Sequence, residues 1–418
     1  MKVAVVGGGG REHAIVRKLK ESALVEKIYV LPGNGGIARD AECVPIKATD
    51  IDAITAFAKE KRIDFVVVAP DDPLAMGAVD RLHAEGIKCF GPEKAAAEIE
   101  SSKAFAKDLM KKYSIPTAKY AVFTSEKEAN AYIDASPVPV VVKADGLALG
   151  KGVIIAMSRE EAKTAVAEMM RGKFGASGEK IVIEEFLTGP EVSVLAFTDG
   201  KCVVPMVSSM DHKRIGDGDA GLNTGGMGAV APNPYFTDEL KAEAERTIFL
   251  PTIKAMAAEG RAFKGCLYFG LMITADGVKV IEYNSRFGDP ETQAVLPLLN
   301  SDLMEIMLAV EEERLTEELV RFSDEFSCAV VLASKGYPEK YETGYPITGN
   351  CEEAEVYCAG VKDEDGVLKT SGGRVLAVAA TGATLAEAVE KAYRESGRID
   401  FKNKYMRSDI GARALAAK

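Results

Sequence analysis

MKVAVVGGGGREH (residues 1–13) joins an apolar run, four glycines and the polar start of a helical pattern. The apolar run Val3 to Val6 has the β-branched composition of a buried strand. Glycines between a strand and a helix are typical of a tight turn in a βαβ unit, where backbone N–H groups at the helix N-terminus can bind a phosphate or carboxylate. The segment therefore predicts that the chain opens with a strand and a helix of a parallel sheet.

The next ninety residues repeat this alternation of apolar runs and helical segments. The expected strands are Val3–Val6, Lys27–Leu31, Phe65–Val68 and Lys88–Phe90, and the expected helices are Ala14–Lys20, Ile51–Lys61 and Leu74–Glu85. A series of this kind predicts a parallel, Rossmann-like sheet covered on both faces.

The glycine run does not carry a dinucleotide fingerprint. Glu12 stands where the third glycine of G-x-G-x-x-G belongs, and Val30-Leu31-Pro32 offers no acidic residue for a ribose. Two interpretations stay open: a turn that needs glycine for steric reasons, or a ligand loop, which the neighbouring Arg11 favours.

The rest of the chain predicts three further parts. A helix is expected from Ser101, an α/β unit over 138–187, longer antiparallel strands over 191–283, and a small α+β domain from about Glu325. The fold class is therefore multidomain α/β and α+β. The predicted domains are 1–101, a core of 102–116 plus 190–324, a lid of 117–189, and a C-terminal domain of 325–418.

Composition narrows the class of function. With 47% apolar and 28% charged residues over 418 positions, the chain has the profile of a soluble globular protein. A net charge of −11 disfavours nucleic-acid binding. Seven scattered cysteines without a C-x-x-C pair indicate neither disulfides nor zinc. No apolar run is long enough for a membrane span or a secretion signal, so a cytoplasmic location is expected.

Lys143-Ala144-Asp145-Gly146-Leu147-Ala148-Leu149-Gly150-Lys151-Gly152 places one lysine at the end of an apolar strand and another in a glycine loop. Cations beside mobile backbone donors suit a polyphosphate. The segment is not a Walker A loop, because Lys151 is followed by Gly152 rather than Ser or Thr. A surface hairpin with solvated lysines is the competing interpretation.

Two strand ends carry carboxylates. Ile181–Leu187 runs into a linker, and Glu191 follows four residues beyond Leu187, where a carboxylate can accept ribose hydroxyls while linker backbone groups meet an adenine edge. Glu282 and Asn284 alternate onto one face of another strand and present oxygen ligands suited to Mg²⁺. A solvated strand end is the alternative for both.

Other candidates lie between and beyond these strands. Arg286 can grip a phosphoryl group in bidentate fashion. Asp211-His212-Lys213-Arg214 and Asn223-Thr224-Gly225-Gly226-Met227-Gly228 flank a Gly-rich stretch, 216–228, that is either disordered or functional. For His212, a structural role is favoured over a role as a catalytic base. Lys335 and Arg374 stand beside glycine turns. This placement suits the binding of an anionic tail, and a solvated loop is the competing interpretation.

In chain order, the Lys143 loop, the Glu184–Leu187 linker, Glu191 and the Glu282/Asn284 pair resemble the ATP-grasp superfamily. The strings GGREHA (9–14), DHKR (211–214), NTGGMGA (223–229) and NSRFGDPETQ (284–293) resemble the phosphoribosylamine–glycine ligase family within it. The resemblance spans nearly the whole chain. It implies ATP-dependent ligation of glycine to 5-phosphoribosylamine through a glycyl phosphate, in purine biosynthesis, with ATP and Mg²⁺ or Mn²⁺.

The resemblance also implies roles for individual residues. Lys143 and Arg286 would be catalytic, and Glu282 with Asn284 would hold the metal. The ATP contacts would be Lys103, Lys143, Gly150, Lys151, Gly152, Glu184, Glu185, Phe186, Leu187 and Glu191. The substrate contacts would be Gly10, Arg11, Asp72, Asp211, Lys213, Gly226, Lys335 and Arg374. Pro70-Asp71-Asp72-Pro73 has Asp where the family pattern has Glu-x-Pro.

Two alternatives to this function stay open. One keeps ATP-grasp chemistry with other substrates, such as carboxylation or formate transfer to a ribonucleotide. The other is a nucleotide-binding regulator without turnover. The expected partners are the small substrates alone, without nucleic acid or membrane, and the expected assembly is a monomer or weak homodimer.

Overall fold

The structure is a computed structural model, which describes residues 1–147, 152–173 and 175–417. It opens with a five-stranded sheet in which every strand pair is parallel. The strands are β1 (Lys2–Gly7), β2 (Lys27–Pro32), β3 (Glu42–Cys43), β4 (Phe65–Val68) and β5 (Lys88–Phe90), in the order β3-β2-β1-β4-β5. The helices are α1 (Gly10–Lys20), α2 (Ile51–Lys61), α3 (Asp71–Met76), α4 (Ala78–Ala84) and α5 (Lys94–Ser101). The predicted parallel sheet is confirmed.

Two expected helices are divided differently in the structure. The helix expected over 74–85 is broken at Gly77, whose φ of +93° lies in the left-handed region, so α3 ends there and α4 begins. The helix expected from Ser101 begins at Lys103, because the Ser102 side chain accepts a hydrogen bond from the Phe105 N–H and caps the helix. We label this helix α6 (Lys103–Lys112).

The following segment forms an antiparallel sheet with its own apolar core. It contains β6 (Tyr120–Phe123), α7 (Glu126–Ala135), β7 (Val140–Ala144), β8 (Val153–Ala156), α8 (Arg159–Glu168) and β9 (Ile181–Glu185). The strand order is β6-β9-β7-β8. Lys143 and Glu184 are diagonal neighbours on β7 and β9, because Val141 pairs with Glu184 and Lys143 pairs with Val182.

The next part is built on long antiparallel strands, as predicted. Its strands are β10 (Glu191–Asp199), β11 (Val203–Pro205), β12 (Met210–Asp211), β13 (Arg214–Gly216), β14 (Ala220–Asn223), β15 (Gly228–Ala231), β16 (Lys264–Thr274) and β17 (Gly277–Asn284). Its helices are α9 (Asp238–Ala244), α10 (Leu250–Ala258), α11 (Glu291–Val295) and α12 (Leu303–Glu311). The main sheet has the order β11-β10-β16-β17, and β13 with β14 forms a separate hairpin in the Gly-rich stretch.

The C-terminal part does not form its sheet alone. Its elements are β18 (Phe326–Ser334), β19 (Glu355–Cys358), β20 (Val361–Glu364), β21 (Val367–Thr370), β22 (Arg374–Gly382), α13 (Leu385–Ser396), β23 (Lys404–Tyr405) and α14 (Ala412–Leu415). The sheet order is β12-β15-β18-β22-β19, with β23 on β18, so strands from 210–231 complete it. The predicted domain boundaries stay predictions.

One apolar core joins the N-terminal sheet, the main antiparallel sheet and the C-terminal sheet. Val5, Phe197, Phe287 and Val331 all belong to it and are at most 2% exposed. Among the described residues, no helix is long and apolar enough to span a membrane.

Candidate active site

A cavity of about 710 Å³ lies where the sheets meet, which is a volume typical of a small-molecule site. Most residues proposed from the sequence line it. They are Arg11, Lys103, Lys143, Gly152, Glu184, Glu185, Phe186, Leu187, Glu191, Asp211, Lys213, Glu282, Asn284, Arg286 and Arg374. Gly150 and Lys151 lie outside the described residues.

Four proposed substrate contacts are not among the residues that line this cavity. Asp72 is exposed on α3, and its neighbour Asp71 lines the cavity instead. Lys335 is exposed, while Tyr337 reaches the cavity. Gly10 and Gly226 lie against protein: a Cβ at Gly10 would come within 2.6 Å of Gln293 Nε2, and one at Gly226 within 2.3 Å of Pro290 Cδ. In the sequence, Asp72 is one position and Lys335 two positions away from a residue that lines the cavity.

The glycine run after β1 has a steric reason to be glycine. Gly7 has a φ of +120°, and a Cβ on Gly8 would come within 2.4 Å of the Gly33 carbonyl oxygen. Glu12, at the third glycine position of the fingerprint, accepts hydrogen bonds from the Gly9 N–H at 2.6 Å and Arg11 Nε at 2.7 Å. The turn therefore supports the steric interpretation and orients Arg11 at the cavity.

Three charged side chains form a buried cluster at the cavity wall. The Glu184 carboxylate lies 2.9 Å from Lys143 Nζ and 2.8 Å from Lys107 Nζ, and all three side chains are at most 5% exposed. Lys143 also donates to the Ile281 carbonyl oxygen at 3.1 Å. Burial lowers the pKa of Lys107 to about 8, although the charge of Glu184 raises it. The two ammonium groups outweigh burial and lower the pKa of Glu184.

The linker after β9 leaves backbone groups unused by the sheet. The last residue of β9 paired with β7 is Glu185, so Phe186 and Leu187 lie beyond the ladder. Glu191 begins β10, and its carboxylate accepts a hydrogen bond from Lys213 Nζ at 3.1 Å. The arrangement can therefore present backbone groups to a planar base and a carboxylate to a sugar.

Glu282 and Asn284 are partly exposed at the cavity, whereas the Tyr283 side chain packs in the core beside Phe269, as strand alternation predicts. The charges of Lys213, Lys143, Lys103 and Arg286 outweigh burial and lower the pKa of Glu282. The Asn284 Oδ1 accepts a hydrogen bond from Arg286 at 3.2 Å. In the described part of the chain, no group of three or more His, Cys, Asp or Glu side chains could hold a metal.

Arg286 is fixed by a buried acid. Its Nη2 lies 3.0 Å from Glu100 Oε1, and the other Glu100 oxygen accepts from the Ser285 N–H and hydroxyl, each at 2.8 Å. Glu100 raises the pKa of Arg286 although burial opposes it. The Arg286 Nε is buried without a hydrogen-bond partner among the described residues. Glu100 therefore holds the Arg286 guanidinium in place at the wall of the cavity.

Two further carboxylates line the cavity among these cations. Asp211 and Glu291 both line it, and burial together with the charge of Glu291 raises the pKa of Asp211 well above its usual range. The Asp211 Oδ1 is buried without a hydrogen-bond partner among the described atoms. Such a pair suits a cationic group.

His212 is structural. Its Nε2 accepts a hydrogen bond from the Gly411 N–H at 3.2 Å, so its Nδ1 carries the proton and faces the Gly228 carbonyl oxygen at 3.3 Å. Burial lowers the pKa of His212 to about 4. Both ring nitrogens are in use, which leaves none for proton transfer.

Three family models match the chain in order. They are the phosphoribosylglycinamide synthetase N domain over residues 1–100, its ATP-grasp (A) domain over 101–292 and its C domain over 327–413. A curated phosphoribosylamine–glycine ligase from Halalkalibacterium halodurans is 50% identical over 100% of this chain and 98% of its own length. The chain belongs to the phosphoribosylglycinamide synthetase family. As a member of this family it is an ATP-dependent ligase.

A solved structure of this family resembles the chain over its full length. The phosphoribosylamine–glycine ligase of Thermotoga maritima is 36% identical, with a TM-score of 0.86 over 98% of this chain and 100% of that one. The biotin carboxylase domain of Hydrogenobacter thermophilus 2-oxoglutarate carboxylase, solved with MgADP, ADP and bicarbonate, has a TM-score of 0.74 at 16% identity over 97% of this chain and 91% of its own. That second likeness shows the fold alone.

Sequence reasoning missed several cavity residues of this family member. Lys107, Glu100, Glu291 and Tyr268 all line the cavity. The spacing of Lys107, four residues after Lys103 on α6, is a signal that both face one side of a helix. Glu100 carries no such signal, because its partner Arg286 is distant in sequence.

Proposed function

We propose that this chain joins glycine to 5-phosphoribosylamine at the expense of ATP, forming glycinamide ribonucleotide, ADP and phosphate in purine biosynthesis. The observation that carries the proposal is the full-length, 50% identical relative that bears the name of this activity. The cavity supports it by combining cations for phosphates with carboxylates for an ammonium group.

ATP is proposed to lie along the lysine side of the cavity. The unpaired backbone of Phe186 and Leu187, next to Glu184 and Glu185, would meet the adenine, and Glu191 would accept the ribose hydroxyls. Lys103 and Lys143, with Gly150 to Gly152, would contact the phosphates. The lysines support this assignment because a buried cation needs an anionic partner.

Glu282 and Asn284 are the proposed ligands of Mg²⁺ or Mn²⁺. One carboxylate and one amide oxygen are hard ligands, and a site with so few of them suits a metal shared with ATP phosphates. The surrounding cations Lys213, Lys143 and Arg286 favour such a shared site over a free divalent ion. Bound there, the metal would neutralise negative charge on the phosphates.

Ligation requires an activated carboxyl group, since a carboxylate is a poor electrophile. A glycine carboxylate oxygen attacks the γ-phosphorus of ATP, the bond to the β,γ-bridging oxygen breaks, and ADP leaves. The amine nitrogen of phosphoribosylamine then attacks the acyl carbon, phosphate leaves, and the nitrogen loses a proton. Arg286 is proposed to stabilise the transferring phosphoryl group through its guanidinium group, because Arg286 lines the cavity.

The glycine ammonium group is proposed to lie beside Asp211 and Glu291. Both carboxylates line the cavity, and Lys213, which also lines it, is proposed to contact an anionic substrate group. Gly226 contributes close packing against Asp211, because a Cβ at that position would come within 2.8 Å of Asp211 Oδ1.

The phosphoribosyl group is proposed to lie between the N-terminal and C-terminal sheets. Arg11 and Arg374 line that side, and Asp71 rather than Asp72 is the acid there, so we assign the ribose contact to Asp71. Gly10 and Lys335 are not among the residues that line the cavity, and they are proposed to lie at the edge of the same group.

Residues 117–189 are proposed to close over ATP as a lid and exclude water from the acyl phosphate. Their separate apolar core supports movement as one unit. A cytoplasmic location and a monomeric or weakly dimeric state also stay predictions.

The test is ADP release from Mg-ATP with glycine, with and without phosphoribosylamine generated in place from ribose 5-phosphate and ammonia. Release that requires both substrates is the expected result. Release with another carboxylate but not with glycine would contradict the proposed substrates and retain the ATP-grasp chemistry. ATP binding without ADP release under any substrate pair would contradict ligase activity.

A further inference from the structure

Lys107 has no role in the proposed reaction, yet it lies in the cavity wall. It is on α6, one turn beyond Lys103, and it is 2% exposed. Its Nζ lies 2.8 Å from Glu184 Oε2 and donates to Thr117 Oγ1 at 2.7 Å, and the Thr117 hydroxyl donates to the Val280 carbonyl oxygen at 2.7 Å. The side chain is therefore held in one place.

The cluster of Lys107, Glu184 and Lys143 contains two ammonium groups and one carboxylate. Lys143 Nζ lies 2.9 Å from the other Glu184 oxygen, Oε1. A single carboxylate is therefore shared between two cations. A buried excess of positive charge is costly unless a ligand offsets it. The cavity is the place from which an anionic ligand can reach this cluster.

The cluster also joins two parts of the chain. Glu184 and Lys143 are on β9 and β7 of the segment proposed as a lid, whereas Lys107 is on α6 outside it. Without Lys107, Glu184 and Lys143 would form a neutral ion pair. The carboxylate would then hold Lys143 as its only cationic partner in the cluster.

We propose that Lys107 is a positioning residue for the nucleotide. Because Lys107 shares the Glu184 carboxylate with Lys143, the cluster keeps one net positive charge. Lys143 can then contact the triphosphate. This inference rests on the proposed function in taking ATP as the ligand. It assigns to Lys107 an electrostatic effect on the phosphates rather than a contact with the adenine.

The test compares Lys107→Met with Lys111→Met, an exposed lysine on the same helix, in the full-length protein. Dissociation constants are measured in Mg²⁺ buffer for β,γ-methylene-ATP and for AMP. Loss of one nearby charge should weaken β,γ-methylene-ATP binding about tenfold and AMP binding by less than about threefold. The Lys111→Met protein should bind both as the wild type does.

The double variant Lys107→Met/Glu184→Gln separates charge from packing. It leaves Lys143 as the only charge in the cluster and so restores the net charge of the wild type. Recovery of the wild-type ratio of β,γ-methylene-ATP affinity to AMP affinity is expected, because loss of a nucleoside contact at Glu184 affects both ligands alike. The proposal would be overturned if this ratio did not recover in the double variant. Equal losses of AMP and β,γ-methylene-ATP affinity in Lys107→Met, or unchanged binding in that variant, would also overturn it.

These measurements use no glycine and no phosphoribosylamine. The proposed function would be contradicted if the wild-type protein bound β,γ-methylene-ATP but released no ADP with both substrates. The variants would still decide whether Lys107 has the proposed charge effect. Ligase activity with unaltered nucleotide binding in Lys107→Met would contradict the role of Lys107 alone.

Discussion

Glu282 faces the cavity within reach of four cations, and Asn284 follows it on the same side of β17. Two features of the sequence predicted this pair: an apolar strand and the alternation of side chains along it. The surrounding cations were only partly predictable. Lys143 and Arg286 stand in recognisable motifs, whereas the approach of Lys213 at 3.8 Å depends on the tertiary fold.

Glu282→Gln should abolish most turnover and leave the fold intact. The substitution removes the one carboxylate proposed to hold the metal, and we expect kcat to fall roughly a hundredfold or more. Asp276→Asn, in the exposed turn before β17, is the matched control and should keep full activity. Steady-state ADP release measures both, and a Glu282→Gln enzyme within about threefold of wild type would remove Glu282 from the site.

His212 should give stability a specific pH dependence. Its pKa is about 4 in the folded chain and about 6.5 when unfolded, so the unfolded chain binds more protons between those values. The contribution is therefore complete above pH 6.5 and is lost as pH falls, by about 2 kcal/mol between pH 7 and pH 5.

Urea denaturation of wild type and His212→Gln at both pH values measures this contribution of His212 to stability. The wild type should lose about 2 kcal/mol more than the variant on acidification, since groups common to both proteins cancel. Equal losses would mean that His212 is not held neutral in the folded chain.

The hairpin of β13 and β14 is held by the C-terminal segment. Arg407 is 1% exposed; it donates to the Arg214 carbonyl oxygen at 3.1 Å and pairs with Asp219 at 3.0 Å and Asp409 at 2.7 Å. The sequence left this Gly-rich stretch as either disordered or functional. Its anchoring was not predictable, because the contacts of Arg407 with Arg214 and Asp219 join residues far apart in the chain.

Arg407→Met should loosen this hairpin and misplace Lys213, which precedes it. We expect kcat/KM for glycine to fall roughly tenfold, because small displacements of positioning residues are costly. Trypsin should also cleave faster at Arg214. Arg398→Met, an exposed arginine paired with Glu352, is the control. Unchanged kinetics and cleavage in Arg407→Met would show that the hairpin is held by other contacts.

Across the whole molecule, the parts are more closely joined than the sequence predicted. The parallel sheet and the antiparallel strands were predictable from local patterns in β1 and β16. The sharing of the C-terminal sheet with β12 and β15 was not, since these strands have only two and four residues and no distinctive pattern. The segment 117–189 keeps a separate core.

This division predicts how hydrogen exchange is distributed. Amides of β6 to β9 should exchange as a unit apart from the joined sheets, because their core is separate. Mg²⁺ with β,γ-methylene-ATP should slow exchange in this segment if it closes over the nucleotide. Exchange in β22, which lies in the joined core, is the internal control. The same rates in 117–189 with and without nucleotide would contradict lid closure.

The central claim is that the glycine carboxylate is phosphorylated before the amide bond forms. Glycine labelled with ¹⁸O in its carboxylate, turned over with Mg-ATP and phosphoribosylamine, tests this directly, because the attacking oxygen leaves with the phosphoryl group. The account predicts that each phosphate released carries one ¹⁸O, measured by mass spectrometry. Ligated product accompanied by unlabelled phosphate would contradict it.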